Sequence, residues 1–323
     1  MKKVITSLLA GSFIFSTALF AESKKVDKVS KSAATHKAAL HSKEYLKHHE
    51  FPTKDEIKQH TILDVETIIQ IYSQAKNGSA EAQVNLATGY ITGSIGNLPN
   101  YEKAVPLLEA SAKQNNGLAY FTLSRLYYWG LGVKEDKNKS IEYAKKGIPL
   151  MLELIHKEPE KHNLHYWRLG QIYFWGIPDL VEQNFDLAFS YFNHAAQLGD
   201  FHSMMSVIFM YMNGIGVKKN EKKAFEWSKY LASLNFPVAI YKTGVDYLKG
   251  HGVEKNNSKG IEYLNRAAEL NYLPAVTALE GLAKSGYSTD FHNVDKSWLS
   301  SFGRLQKKGA ISSFEMPVFH GGF

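Results

Sequence analysis

Histidine is the residue type through which this 323-residue chain could bind a metal ion, because a neutral imidazole is a common ligand of zinc. Five of the thirteen histidines fall close together: His36, His41, His48, His49 and His60. If residues 33–50 form a helix, His41 and His48 share a face, but no pair in this segment has the four-residue spacing, with an accompanying carboxylate, that binds zinc on a helix. The sequence therefore predicts a basic, histidine-rich, partly disordered segment over residues 22–60, with no metal ion and no other cofactor.

Two short strings could support acyl transfer. Ser73 is followed three positions on by Lys76, which matches the Ser-x2-Lys of serine β-lactamases, and Lys242-Thr243-Gly244 matches their Lys-Thr-Gly string. Both lie in predicted helices, whereas Lys-Thr-Gly belongs on a strand, and no Ser-Asp-Asn string intervenes. Nothing supplies a nucleophile, an oriented base and an oxyanion site together, so no catalytic residue is predicted. The absence of cysteine excludes thiol nucleophiles, thiolate metal sites and disulfide bonds.

The first 21 residues have the pattern of an export signal. Lys2 and Lys3 precede an almost uncharged apolar stretch over residues 4–19, and Ala21 is a small residue suited to cleavage. The alternative is a retained membrane anchor, but the stretch is shorter than the roughly 20 apolar residues that span a bilayer. We therefore expect cleavage after Ala21 and a periplasmic or secreted protein, with no transmembrane segment once the signal is removed.

The positive charge of the chain is concentrated near its N-terminus. The formal net charge is +7, and residues 1–60 hold eleven lysines against six acids. The remaining residues are nearly neutral, so they lack the basic face of a nucleic-acid-binding domain. Hydrophobic residues make up 44% of the chain, with 18 Tyr, 18 Phe and 5 Trp, which is typical of a folded protein with a large core. The composition favours a protein or peptide partner in the cell envelope over a nucleic acid.

One pattern recurs five times along the chain, with a tyrosine three residues before a glycine. The glycines are Gly93, Gly130, Gly176, Gly214 and Gly250. Successive glycines are 37, 46, 38 and 36 residues apart. In the second unit Ala119, Leu123 and Tyr127 recur every four residues, which is the spacing of one helix face. The glycine predicts the end of this first helix, because it tolerates the left-handed conformation common at helix C-termini.

A second helical block follows each glycine. It carries a large residue between small ones, at Leu107, Tyr143, Tyr191, Trp227 and Tyr263. Large residues on one helix then pack against small residues on the next, which predicts antiparallel helix pairs that approach closely. The 46-residue spacing predicts a lengthened helix around residues 147–164. Pro106 lies inside the second helix of the first unit, where it predicts a late start or a kink.

The combined pattern, small-x3-Leu-x3-Tyr-x2-Gly-x-Gly-Val followed by Lys-Ala-x2-Tyr and a run of alanines, resembles the Sel1-like repeat family of the tetratricopeptide repeat superfamily. The resemblance covers residues 79–272. It implies an all-α, right-handed solenoid of antiparallel helix pairs that works as a scaffold or adaptor in protein complexes. Some exported, cysteine-rich members bind penicillin and hydrolyse β-lactams. This implies an alternative function, an envelope enzyme or receptor acting on peptidoglycan or β-lactams, although this chain lacks their cysteines.

The segments on either side of the repeats are predicted to cover the ends of the solenoid. Residues 61–78 have the pattern of an amphipathic capping helix that starts at Asp64. Residues 273–309 suggest a degenerate sixth repeat, and residues 310–323 a tail that docks on the array or on a partner. Caps of this kind shield the exposed core of a solenoid at its two ends.

The concave side of the first helices is the predicted binding face. If the small residue, the leucine and the tyrosine of each unit point to the core, residues two, three and six positions after the small residue are exposed. Arginine, lysine and asparagine there can hydrogen-bond peptide carbonyls or carboxylates, and tryptophan can form a shelf beside them. The predicted peptide-binding residues are Asn85, Arg125, Trp129, Arg168, Gln171, Trp175 and Lys242. The alternative is that these are ordinary solvated positions and that both tryptophans fill contacts between repeats. The oligomeric state is left open.

Overall fold

The computed structural model describes residues 65–95 and 98–289, which form twelve α-helices and no strand beyond an isolated bridge between Ile177 and Val181. The predicted signal, histidine-rich segment and tail lie outside the described residues. The helices are α1 (Val65–Lys76), α2 (Ala80–Thr92), α3 (Tyr101–Ala112), α4 (Gly117–Trp129), α5 (Lys137–Lys157), α6 (Asn163–Trp175), α7 (Phe185–Gln197), α8 (Phe201–Asn213), α9 (Glu221–Ser233), α10 (Pro237–Lys249), α11 (Asn257–Glu269) and α12 (Leu273–Lys284).

Helices α2 to α11 form five consecutive pairs, and each helix packs against the helices before and after it in the sequence. The result is the predicted all-α solenoid, with α1 packed on the first pair and α12 on the last. Buried residues from Val84 to Ala239 form one continuous core, and a second cluster around Leu264 continues it in the fifth pair. None of the helices within residues 65–289 combines the length and apolarity needed to cross a membrane.

Two irregular features of the sequence, the 46-residue spacing and Pro106, have different outcomes in the structure. Helix α5 extends over 21 residues and contains Met151, Leu152 and Ile155 in its core, which confirms the lengthened helix predicted there. The late start predicted for the helix containing Pro106 is wrong, because α3 begins at Tyr101. Asn100 caps the helix by accepting a 3.0 Å hydrogen bond from the Lys103 N–H, so the first turn is stabilised before the proline is reached. The proline itself is exposed.

The turn within each pair is closed by the same backbone hydrogen bond. The N–H of the residue that caps the second helix donates to the carbonyl of the repeat tyrosine over 2.7–2.9 Å: Asn100 to Tyr90, Asp136 to Tyr127, Asn184 to Tyr173, Asn220 to Tyr211, and Asn256 to Tyr247. The side chain of each capping residue accepts from the backbone N–H three residues later. A helix C-terminus leaves carbonyls without partners, and this bond satisfies one of them in every pair.

Small residues allow the helices of a pair to approach closely. In the second pair the hydroxyls of Ser124 and Ser140 are 3.1 Å apart across the helix contact. In the fifth pair Gly244 faces Gly260, and a Cβ added at Gly244 would lie 2.9 Å from the Gly260 carbonyl oxygen. The fourth pair has Ile208 at the position of Ser124 and Gly244, so its helices meet through a larger side chain.

The second glycine of Gly-x-Gly makes a contact between neighbouring repeats. A Cβ at Gly216 would overlap the Phe185 carbonyl at the start of α7, and one at Gly252 would overlap the Glu221 carbonyl at the start of α9. Each turn therefore packs on the second helix of the preceding repeat. The glycine has a packing role in addition to the predicted role of ending a helix.

Two glycine substitutions test this packing against helix propensity. Gly244→Ala should lower the free energy of unfolding by about 1–3 kcal/mol, because the added methyl group meets a neighbouring backbone that cannot rotate away. Gly281→Ala, on the exposed side of α12 with open space around it, should raise that free energy by up to about 1 kcal/mol. Urea unfolding followed by circular dichroism measures both. Equal effects of the two substitutions would contradict a tight contact at Gly244.

Candidate binding face

The seven residues predicted to bind a peptide all lie on first helices of the pairs. Asn85 is on α2, Arg125 and Trp129 are on α4, and Lys242 is on α10; Arg168, Gln171 and Trp175 are on α6. On α8 the same register predicts that Ser206 is exposed. Ser206 is instead buried, and its hydroxyl donates to the His202 carbonyl at 2.9 Å. The predicted register of exposed positions therefore fails in the fourth pair.

Arg168 is held in place by two neighbours from its own helix. Its Nη1 donates to the Gln171 Oε1 at 2.9 Å, and the guanidinium carbon lies 4.2 Å from the centroid of the Trp167 ring. A guanidinium over an indole face is a cation–π contact, which restricts the orientation of the guanidinium plane. Both neighbours are uncharged, so the positive charge of Arg168 is positioned but not neutralised by them.

Arg168 of α6 and Arg125 of α4 are both partly withdrawn from water. Withdrawal from water, and then the positive charge of Arg125, lower the pKa of Arg168 to about 9, while Asp200 acts in the opposite direction. Burial also lowers the pKa of Arg125, with Tyr101 opposing the shift. The loss of water around each guanidinium therefore disfavours its charged form.

Aromatic rings continue the face beyond the arginines. The Trp167 ring stacks on His202 of the next repeat at 5.1 Å between centroids and 26° between planes. Phe201 stacks in turn on Phe236 of the repeat after that, at 4.5 Å and 23°. We call these four half-buried residues, Trp167, Phe201, His202 and Phe236, the aromatic ledge. The sequence interpretation missed the ledge, although the signal was present as aromatic residues near the start of successive first helices.

Lys242 is engaged within its own helix. Its Nζ donates to both carboxylate oxygens of Asp246, at 2.6 and 2.7 Å, and the Asp246 side chain is only 1% exposed. Burial raises the pKa of Asp246, while Lys242 and then His251 oppose the shift. The structure therefore gives Lys242 the role of compensating a buried acid, and it lies two repeats away from Arg168.

The two tryptophans predicted as shelves differ in exposure. Trp129 is 51% exposed at the end of α4, with the Lys137 Nζ 5.6 Å from its ring centroid. Trp175, at the matching position of α6, is half-buried and packs edge-on against Phe174 and the core. Asn85 is exposed on α2. Trp129 and Asn85 are thus exposed at the surface, whereas Trp175, like Trp167, Phe201 and Phe236 of the ledge, is half-buried and packs against the core.

The strings that suggested acyl transfer do not form a common site among the described residues. Ser73 is exposed on α1, while the Thr243 hydroxyl is fully buried on α10 and donates to the Ala239 carbonyl at 2.8 Å. Gly244 serves the helix contact described above. The histidines of residues 36–60 lie outside the described residues. Across the described residues, no three histidine or acidic side chains converge in a way that could hold a metal ion.

Comparisons with known proteins identify the repeat. The family described as Sel1 repeat matches the chain five times, over residues 80–116, 117–148, 166–200, 203–236 and 237–272. None of the curated proteins compared with the sequence matches it.

Several solved structures are similar to the chain. A Sel1 repeat protein from Oxalobacter formigenes is 23% identical with a TM-score of 0.44, and the match covers 71% of this chain and 64% of that one. A protective antigen of uropathogenic Escherichia coli is 20% identical with a TM-score of 0.38, covering 75% and 56%. An immunity protein from Pseudomonas aeruginosa is 17% identical with a TM-score of 0.43, covering 79% and 88%. The chain thus spans less than two thirds of the first two proteins.

Helix α6, which carries Arg168, also contains a buried histidine that makes the fold sensitive to acid. Burial lowers the pKa of His165 to about 3, and His162 adds to the shift. In the unfolded chain its pKa is about 6.5, so the unfolded state binds the extra proton between pH 6.5 and 3. The contribution of His165 to the free energy of unfolding is therefore fully present above about pH 6.5 and is lost as the pH falls towards 3.

His165→Gln should reduce this acid sensitivity. Between pH 6 and pH 4 the free energy of unfolding of the wild type should fall more steeply than that of the variant, by up to about 1.4 kcal/mol per pH unit. Urea unfolding at a series of pH values measures the slope. The control His156→Gln, which removes an exposed histidine from α5, should leave the slope close to that of the wild type. An equal slope in His165→Gln would show that this histidine is not buried in its neutral form.

Proposed function

Because the chain belongs to the Sel1 repeat family, we propose that it is an exported scaffold that binds a protein or peptide partner on the face of its first helices. The observation that carries the proposal is the meeting of side chains from successive repeats on this face. Trp167 stacks on His202, and Phe201 stacks on Phe236. These stacks join the starts of three successive first helices, α6, α8 and α10.

A surface of this shape suits an extended segment of a partner. Repeat proteins bind through surfaces that continue from one repeat to the next, because each repeat contributes an equivalent helix. Aromatic and arginine side chains are also the types that contribute most to binding energy at protein interfaces. The ledge supplies the aromatic rings and Arg168 supplies charge, so both kinds of contact are available within three repeats.

Export is the second part of the proposal. It is supported by the sequence of residues 1–21, where two lysines precede an apolar stretch and a small residue follows it. We place the partner in the cell envelope or outside the cell for this reason.

The binding proposal predicts that capture of a partner depends on the aromatic ledge. Affinity purification from envelope extracts, followed by mass spectrometry, should recover a stoichiometric protein with the wild-type chain. Trp167→Ala should reduce its recovery by about tenfold or more, because truncating a central aromatic at an interface costs about 2 kcal/mol. The matched control Tyr287→Ala removes an exposed aromatic outside the repeats and should leave recovery unchanged. Equal recovery with both variants would exclude the ledge as the site, and recovery of muropeptides without a protein would favour the peptidoglycan alternative.

The export proposal predicts a processed N-terminus. When the full chain is produced in a bacterial host, N-terminal sequencing of the periplasmic fraction should begin at Glu22. A variant with Lys2→Glu and Lys3→Glu should remain unprocessed in the cytoplasm, because it removes the positive charge that precedes the apolar stretch. An unprocessed wild-type chain in the membrane fraction would contradict cleavage and support the anchor.

A further inference from the structure

A cleft of about 290 Å³ opens between the end of α3 and the two helices of the second pair, α4 and α5. Its apolar lining consists of the buried residues Ala112 and Leu123 and the half-buried rings of Tyr120 and Tyr143. This volume is at the lower end of the range for ligand sites in proteins. The cleft is therefore suited to one or two side chains rather than to a whole cofactor.

The two tyrosines of the cleft have counterparts in the third repeat. Tyr120 and Tyr166 both lie three residues before the repeat leucine, and Tyr143 and Tyr191 are the large residues of their second helices. The ring centroids are 5.9 Å apart in the cleft and 6.3 Å apart in the third repeat, with 41° between the ring planes in both. The third-repeat rings are fully buried, whereas the cleft rings are half-buried. Additional groups therefore cover the third-repeat tyrosines.

The lengthened helix α5 and the residues after it supply these groups. The Tyr166 hydroxyl donates to the Ile155 carbonyl at 3.4 Å, and the Ile155 side chain is fully buried. His194, which holds the position of Lys146 in its helix, donates from Nε2 to the Pro159 carbonyl at 3.0 Å. Proline has no N–H, so Pro159 cannot donate to the Ile155 carbonyl four residues earlier. The end of a helix is therefore bound at this position of the third repeat.

The matching position of the second repeat is open because α3 ends early. Only residues 113–116 link α3 to α4, whereas α5 continues for 21 residues before the link to α6 begins. The helix before the second pair thus lacks the turns that fill the third-repeat site. Within residues 65–95 and 98–289, the Tyr120 hydroxyl makes no hydrogen bond, and the Lys146 Nζ makes one, to Glu142 at 2.7 Å. Donors remain available at the cleft.

We propose that the cleft binds the C-terminal turn of a helix from a partner protein. An aliphatic side chain of that turn lies against the rings of Tyr120 and Tyr143, as a buried aliphatic residue fills the third-repeat site. The last carbonyls of a helix have no partner within the helix, so they accept from the Tyr120 hydroxyl and from Lys146. This site goes beyond the proposed function, because it lies on α3, α4 and α5, whereas the aromatic ledge belongs to α6, α8 and α10.

The charges at the cleft suit the C-terminal end of a helix. Lys113 and Lys146 line the cleft together with Glu109, so the cations exceed the acids by one. A helix carries a partial negative charge at its C-terminus, and nearby cations stabilise that end. The N-terminal end, with free N–H groups and a partial positive charge, would meet two ammonium groups and a single carboxylate. The surplus cation therefore selects the C-terminal end.

A peptide that copies the filling of the third-repeat site tests the proposal on the full chain. The probe has the sequence of residues 150–159, with an acetylated N-terminus and an amidated C-terminus, and isothermal titration measures its affinity. The wild type should bind the probe saturably. A counterpart peptide with Ile155→Ser should bind about tenfold or more weakly, because it lacks the aliphatic side chain. Equal affinity for the two peptides, or no saturable binding of either, would overturn the proposal.

Matched variants separate binding at the cleft from packing in the third repeat. Tyr120→Phe and Lys146→Gln should each weaken the probe about three- to tenfold and leave the urea unfolding midpoint unchanged, because each removes a donor to the peptide. Tyr166→Phe should lower the midpoint and leave the affinity unchanged, because the buried Ile155 carbonyl loses its donor. The control Lys229→Gln, on an exposed cation of α9, should change neither quantity. A lower midpoint with unchanged affinity in Tyr120→Phe would assign this tyrosine to the fold and refute the proposal.

Two further measurements establish where the probe binds and what the natural occupant is. Trp167→Ala, on the aromatic ledge, should leave the affinity for the probe unchanged, so the cleft and the ledge are tested separately. Loss of probe binding in this variant would place the peptide on the ledge and refute the cleft. Sedimentation of the wild type at several concentrations tests for a second copy. A dimer that the probe dissociates would place another copy of this chain in the cleft and refute a separate partner.

Discussion

The fold depends on one hydrogen bond that is repeated five times, from the N–H that caps each second helix to the carbonyl of the repeat tyrosine. Its length stays between 2.7 and 2.9 Å although the turns it closes differ in length and sequence. The third turn has Pro178 where the second, fourth and fifth turns have the second glycine of Gly-x-Gly, and the bond from Asn184 to Tyr173 is still made. Because the bond joins the end of one helix to the start of the next, it closes every pair in the same way.

Close pairing determines which side chains of the first helices remain outside the pairs. Small residues such as Ser124 and Gly244 lie inside the pairs, where the helices approach closely. Larger residues of the first helices contact the next repeat, as Trp167 does by stacking on His202. Arg168 lies beside this stack, and its withdrawal from water lowers its pKa.

The helices were predictable because their signals are local. The tyrosine three residues before a glycine marks the end of each first helix, and the Asn or Asp cap marks the start of each second helix. Both signals act within one or two helical turns, so the spacing and composition of the sequence indicate the helix ends directly. The late start predicted from Pro106 was wrong because the Asn100 cap starts the helix before the proline is reached. The seven binding residues stay a prediction. Among them, Trp175 packs against the core, and Lys242 pairs with Asp246, an i, i+4 partner that the sequence already displays.

By itself, the sequence determined the five repeats, the helix pairs, and the presence of arginines and aromatic rings on the first helices. The tertiary structure alone decided which of them meet. Trp167 and His202 are 35 residues apart, as are Phe201 and Phe236, so no local pattern relates them. Their contacts depend on how each repeat is rotated against the next, and this rotation is set by packing between large and small side chains of different helices. The loss of hydration that lowers the pKa of Arg168 arises only from that packing.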